Sequence, residues 1–155
     1  MRTRTARTAA ADVLDERALR RMDNRELDLL FRSSPAGATP RGRLPGTALL
    51  FPGSRICGLL ATVVRLVFWQ GKVTDDSARS LKNLIGPFGI RTIKARLSHD
   101  GSWVDGEDCV LIDYSKTSLV ARMVRDEIRL VAPDLYLGLA WLWRRRAGWF
   151  TLRQQ

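Results

Sequence analysis

Apolar residues show no periodicity over residues 1–11, an Arg/Thr/Ala-rich stretch that reads as disorder or a frayed helix start. From Asp12 onward Val13, Leu14, Ala18 and Met22 fall at helical spacing. Asp23-Asn24-Arg25-Glu26 has the spacing of a capping box, in which a short side chain accepts from first-turn amides and a Glu three residues on reaches back. The helix it starts presents Leu27, Leu30 and Phe31 on one side and stops at Ser33-Ser34-Pro35. Residues 35–47 hold three Pro and three Gly and read as a linker or extended arm rather than a packed element. Residues 48–51 read as a short strand. Ser54 then caps a helix through Leu59, Leu60, Val63, Val64 and Val67, apolar nearly all round and so expected to be buried.

After residue 69 the period shortens to that of strands. Strands are predicted at 69–74, 80–85 and 90–98, with turns at 75–77 and 86–89. Asp100-Gly101 reads as a hairpin turn, because Gly tolerates the positive φ such turns demand. Residues 103–104 and 109–114 follow as strand, broken by a turn or bulge at Asp105-Gly106. One or two helical turns are expected over 117–124. Strands at 125–131 and 135–143 flank Ala132-Pro133-Asp134, and a last strand at 149–153 follows a turn at 144–146. Seven or eight short strands with sequential turns predict a mainly β fold, an antiparallel meander that closes into a barrel and so removes its edges. The N-terminal helices would cover one mouth. The expected organisation is an N-terminal arm (1–22) and a single barrel domain (23–155).

Charge changes the picture less than its size suggests. The formal net charge is +10, from 26 Lys+Arg against 16 Asp+Glu, which invites a nucleic-acid or anionic-membrane reading. Four of the 26 are Lys (Lys72, Lys82, Lys94, Lys116), which leaves 22 Arg, a bias that GC-rich coding also produces. The Arg residues are scattered from Arg2 to Arg146 rather than gathered in one stripe, so solvated surface charge is preferred and nucleic acid ranks behind.

No secretory signal is legible, because no apolar run follows the basic N-terminus. The longest apolar stretch, 56–69, contains Arg65 and is shorter than the roughly 20 residues of a membrane span. Cys57, Cys109 and the lone His99 do not make a metal set, since zinc takes three or four protein ligands. Free thiols and a cytoplasmic location are expected, with no metal, no cofactor and no membrane span. A homodimer is allowed and not specified.

Candidate chemistry is spread over four places. Trp69-Gln70-Gly71-Lys72 puts a flat apolar face and a cation at the start of the strands, lining a cavity mouth; the plainer reading is a Trp plug closing the barrel bottom. Asp113-Tyr114-Ser115-Lys116-Thr117 is the densest polar run after a hydrophobic strand. Asp113 is a candidate base and Tyr114 a candidate donor; the plainer reading is a turn in which Asp113 and Ser115 cap backbone amides. Glu127 and Arg129 share one side of a strand, and pointing inward they would form an ion pair able to hold a carboxylate or enolate. Pointing outward they are surface charge of little value. In 135–143 the bulky face (Leu135, Leu137, Leu139, Trp141, Trp143) opposes a small-residue face (Tyr136, Gly138, Ala140, Leu142), as beside a cavity or against a helix. His99, beside the Asp100-Gly101 turn, reads as an exposed and inert side chain. Phosphate-loop, dinucleotide, nucleophile-elbow and zincin motifs are missing, so any catalysis would be cofactor-free.

Several stretches together resemble a family of uncharacterised bacterial lipocalin-like, calycin-type barrels, distantly similar to GxWxG-linked domains. They are residues 26–32, Trp69-Gln70-Gly71-Lys72-Val73, Gly86-Pro87-Phe88-Gly89-Ile90-Arg91, 102–106, 113–122, 124–129 and Leu135-Tyr136-Leu137-Gly138. The resemblance spans most of 25–153 and implies a lipocalin-like barrel. It assigns no reaction. Thr74 departs from the bulky residue usual after W-Q-G-K-V, and residues 1–22 look particular to this chain, departures that suit a specialised ligand.

The expected function is therefore to enclose a hydrophobic small molecule. As an enzyme it would be a cofactor-free cyclase or isomerase of polyketide-like specialised metabolism, since holding a chain near its reactive conformer removes up to ~7–11 kcal/mol of barrier. Tyr114, Glu127, Arg129 and Tyr136 are the expected catalytic residues, and Trp69, Lys72, Asp113 and Trp141 the expected ligand contacts. The alternatives are a carrier with the same cavity and, behind it, a nucleic-acid binder using Arg144–Arg146.

Overall fold

The structure is a computed structural model, and it describes residues 14–49, 72–74, 80–85, 91–116 and 121–155. Residues 1–13 of the expected arm, the helix over 54–67, Trp69 and the turns at 75–77 and 86–89 lie outside the described residues.

Two short helices lead the chain. Helix α1 (Glu16–Arg21) is capped by Asp15, whose carboxylate accepts from the Ala18 amide at 2.7 Å. Helix α2 (Asn24–Ser33) begins with the capping box read from the sequence: Asp23 accepts from the Glu26 amide and Glu26 accepts from the Asp23 amide, each at 2.8 Å. Two first-turn amides are satisfied reciprocally, which fixes where α2 starts.

The rest is mainly β and antiparallel. The strands are β1 (Arg43–Leu44), β2 (Gly46–Leu49), β3 (Lys72–Thr74), β4 (Ser80–Ile85), β5 (Arg91–Gly101), β6 (Asp108–Asp113), β7 (Val124–Ala132), β8 (Leu135–Leu142) and β9 (Arg145–Arg153). They form one sheet in the order β1-β3-β4-β5-β6-β7-β8-β9-β2. From β3 to β9 every neighbour in space is the next strand in sequence, the meander expected from regular turn signals. A single 3₁₀ turn (Ala121–Met123) precedes β7.

Three local expectations shift. Residues 43–47, expected within a linker, are strand: β1 pairs with β3, and β2 pairs with β9. Pro45 interrupts them and still contributes, since its carbonyl accepts from the Arg153 amide at 3.0 Å. Asp100-Gly101 is not the turn. Strand β5 runs through Gly101, and the reversal is made by 102–107, closed by Ser102 N–H to Glu107 O at 2.9 Å, with Gly106 at φ 79°. The β8–β9 reversal is made by Trp143 and Arg144, ahead of the expected 144–146.

Alternation sorts the sheet into two faces. One carries Leu97, Val110, Ile112, Tyr114, Ile128, Tyr136, Phe150 and Leu152 in one buried cluster. The other carries Leu135, Leu137, Leu139, Trp141 and Trp149, packed on Leu19, Leu27 and Phe31 of the two helices. Phe31 meets Trp149 edge-on, ring centroids 5.7 Å apart. The bulky face of β8 is thus the helix-packing face, and its small-residue face turns to the other cluster. Among the described residues no helix is long and apolar enough to cross a membrane.

Candidate functional site

Two polar constellations lie on opposite faces of the sheet. On the face away from the helices, Tyr114 at the end of β6 donates its phenol to Asp126 Oδ2 on β7 at 2.9 Å. The ladder pairs Ile112 with Asp126 and Val110 with Ile128, so the carboxylate shares its face with an apolar column. Asp126 is 0% exposed and Tyr114 2%. A carboxylate taken wholly out of water needs hydrogen-bonding partners, and the Tyr114 phenol is one. Tyr136 belongs to the same cluster and donates its hydroxyl to the Ala38 carbonyl at 2.8 Å. Burial, with Asp134 adding a smaller repulsion, holds its phenol above the ordinary tyrosine pKa.

On the helix face, Glu127 and Arg129 are both buried and are held by separate partners. Glu127 accepts from Ser102 Oγ at 2.6 Å, the Trp103 amide at 2.9 Å and Arg125 Nε at 2.8 Å. Arg129 binds Asp105 through both carboxylate oxygens and also donates to the carbonyls of Phe31, Glu107 and Asp108. Burial, the largest influence, would lower the Arg129 pKa, but the Asp105 hydrogen bonds and the attraction of Asp105 and Glu127 together outweigh it and the net shift is upward. The same bonds hold the Asp105 carboxyl below its ordinary value. The ion pair that Glu127 and Arg129 would form on pointing inward together is replaced by Glu127–Arg125 and Arg129–Asp105. These two residues fasten the 102–108 turn and the end of α2 to β7. They are neither cavity lining nor loose surface charge.

The structure therefore brings Tyr114 and Tyr136 into one cluster and places Glu127 and Arg129 on the other side of the sheet. Trp141 also lies on the helix face, edge-on to Trp103 at 5.5 Å, and among the described residues its buried indole N–H has no hydrogen-bond partner. Asp113 accepts from the amide and hydroxyl of Ser115 at 2.8 and 3.0 Å, the turn-capping arrangement. Lys72 opens β3, and Trp69 lies outside the described residues. His99 is exposed and bonds Asp108 at 2.8 Å. Among the described residues no group of three or more His, Cys, Asp or Glu converges as a metal site would.

Asp126 was not among the candidates read from the sequence. Its signal was present: in 125–131 it alternates onto the side of Ile128 and Leu130, a carboxylate on an apolar face. The denser charge of Arg125, Glu127 and Arg129 on the other face masks that signal.

No family model and no curated protein matches the chain. Its fold is similar to that of a solved structure, the crystal structure of a protein from Thermomonospora curvata, with a TM-score of 0.62 at 17% identity. The similarity covers 86% of this chain and 88% of that one, and it bears on the fold alone.

Proposed function

We propose that the sheet curls into a barrel and that its interior binds an apolar small molecule against the Tyr114–Asp126 pair. Curling is supported by residues 43–49, which adjoin both ends of the meander: Arg43 pairs with Val73 of β3, and its carbonyl also accepts from the Gln155 amide beyond β9. The proposed barrel is buttressed on its outer face by α1 and α2 rather than capped by them. The observation that carries the binding reading is the 2.9 Å hydrogen bond between two polar groups withdrawn from water amid Ile112, Ile128 and Phe150. Buried polar groups in an apolar chamber are what orient an otherwise featureless ligand.

The chemistry that fits is cofactor-free cyclisation or isomerisation, in which no atom is gained or lost. Asp126 takes a proton from one carbon of the bound chain and returns it to another, and Tyr114 fixes the carboxylate for both transfers. Glu127 and Arg129 have no part in it, being committed to the 102–108 turn. The test is native mass spectrometry of the protein incubated with a small-molecule extract of its source organism, followed by denaturation and identification of what was held. A retained metabolite whose capture is weakened at least about tenfold in Asp126→Asn or Tyr114→Phe supports the site. No adduct on the wild type, or equal capture by both folded variants, overturns it. Recovery of the ligand unchanged would favour a carrier over an enzyme.

A further inference from the structure

The β8–β9 hairpin turns on two residues with left-handed backbone, Trp143 at φ 48° and Arg144 at φ 62°. Turns of this hand favour Asn and Gly, because any larger L side chain crowds the backbone there. Strain of this kind gathers where a fixed geometry is used. Here it presents Trp143 at 65% exposure beside Met123 at 42%. The two are tied together: the Trp143 amide donates to the Met123 carbonyl at 3.0 Å, and the indole N–H points to the Met123 sulfur. Arg122, Arg144 and Arg145 flank this apolar tip, all exposed. Arg125 and Arg146 nearby are neutralised by Glu127 and Asp28, whereas among the described residues Arg144 and Arg145 form no ion pair.

We propose that this tip docks on an anionic phospholipid surface. Trp143 and Met123 enter the boundary between headgroups and acyl chains, and Arg122, Arg144 and Arg145 face the headgroup phosphates. Trp is favoured at that boundary, and each basic residue near an anionic surface adds attraction. Arg stems lie along apolar surface while their heads stay at phosphate level. The arrangement is poorer for single-stranded nucleic acid, which stacks successive bases on several open rings. Arg125 and Arg144 each sit 4.5 Å over the Trp103 ring. Trp103 is thus already engaged by two guanidinium groups, and among the described residues Trp143 is the most exposed ring left for stacking. The tip shares no residue with the Tyr114–Asp126 pair.

The test is co-sedimentation of the full chain with phosphatidylcholine vesicles, with and without phosphatidylglycerol. Binding is expected with phosphatidylglycerol and close to none without it. Arg144→Gln and Arg145→Gln should each weaken it about fivefold, and Trp143→Ser at least about tenfold. The control is the pair R41Q/R43Q, which removes two exposed charges at the other end of β9, where Arg43 meets Gln155. It should bind as wild type does. Absence of vesicle binding overturns the proposal, and so does equal loss in R41Q/R43Q, which would mean diffuse charge. Retention of an oligouridylate that Trp143→Ser abolishes, without vesicle binding, would assign the tip to nucleic acid instead.

Discussion

Arg129 and Asp105 meet fork to fork, Nη2 to Oδ1 at 2.7 Å and Nη1 to Oδ2 at 2.8 Å, with the Arg129 side chain 1% exposed. The guanidinium also reaches the Phe31 carbonyl at 2.9 Å and lies 4.7 Å over the Phe31 ring. One side chain thereby joins β7, the 102–108 turn and the end of α2. Removing the carboxylate strands a buried cation, so Asp105→Ala should cost about 3–5 kcal/mol in urea unfolding. Arg129→Lys keeps the charge and loses the fork, and it should also destabilise because an ammonium cannot bind both oxygens in parallel. The double variant D105A/R129M should cost less than the sum of its singles.

The same pair sets an acid limit. Hydrogen bonds from Arg129, acting against burial, hold the Asp105 carboxyl below its ordinary value. Burial would raise the Asp28 carboxyl, but hydrogen bonds from Arg32 and Arg146 and the attraction of their charges together outweigh it and the net shift is downward. A carboxyl with a lowered folded-state pKa contributes stability that is complete above its unfolded value and lost as pH falls through the folded one. The stability these two carboxyls contribute should therefore be level above about pH 5 and fall steadily below it. In Asp105→Asn that acid slope should be shallower, measured as the urea midpoint against pH. An unchanged slope would mean that Asp105 titrates alike in both states.

Gly138 on β8 faces Phe150 on β9 across the ladder, and a Cβ built on Gly138 would overlap three carbons of the Phe150 ring. The ring needs the space a side chain would fill. Gly138→Ala gains up to about 1 kcal/mol from reduced backbone freedom, and an overpacking cost of about 1–3 kcal/mol should outweigh it. Phe150→Leu in the Gly138→Ala background should recover part of the loss. Calorimetric melting of the two singles and the double gives the coupling.

The meander, the α2 cap and most strand positions were legible because each depends on signals within a few residues: alternation, a capping box, Gly and Pro at turns. Strand β4 falls where alternation put it, at Ser80–Ile85. The failures come from partners distant in sequence. Asp100-Gly101 has a turn's local chemistry, yet the reversal moves to 102–107 because Glu127 binds Ser102 and Trp103 while Arg129 binds Asp105. Residues 43–47 look like a linker until β3 and β9 offer them backbone partners. The candidate site has the same limit: alternation groups Glu127 with Arg129, but only the helices and the 102–108 turn determine which face is which. Asp126, like Tyr114 and Tyr136, is a polar group on an apolar strand face, and the charges of Arg125 and Glu127 on either side mask it in the sequence.

Cys109, on β6, is 0% exposed, and its thiol pKa is pushed up to about 12, chiefly by burial, with the nearby Glu127 charge adding to it. Arg125 and Arg129 pull the other way and do not offset this. The thiolate is the reactive form, and an unfolded cysteine ionises near pH 8.5, so at about pH 8 folding should switch the thiol off. In Cys57→Ser, which leaves Cys109 as the one thiol, an aromatic disulfide reagent should label the folded protein only as fast as the sheet opens. Labelling should accelerate with urea and reach completion on unfolding. A raised folded-state pKa also means that this thiol's contribution to stability is complete below about pH 8.5 and lost as pH rises toward the folded value. Cys109→Ala in the same background should therefore flatten the alkaline side of the stability profile, while its smaller side chain lowers stability at all pH. Prompt labelling of the folded protein at pH 8 would show that β6 opens far more readily than its buried column of Val110 and Ile112 implies.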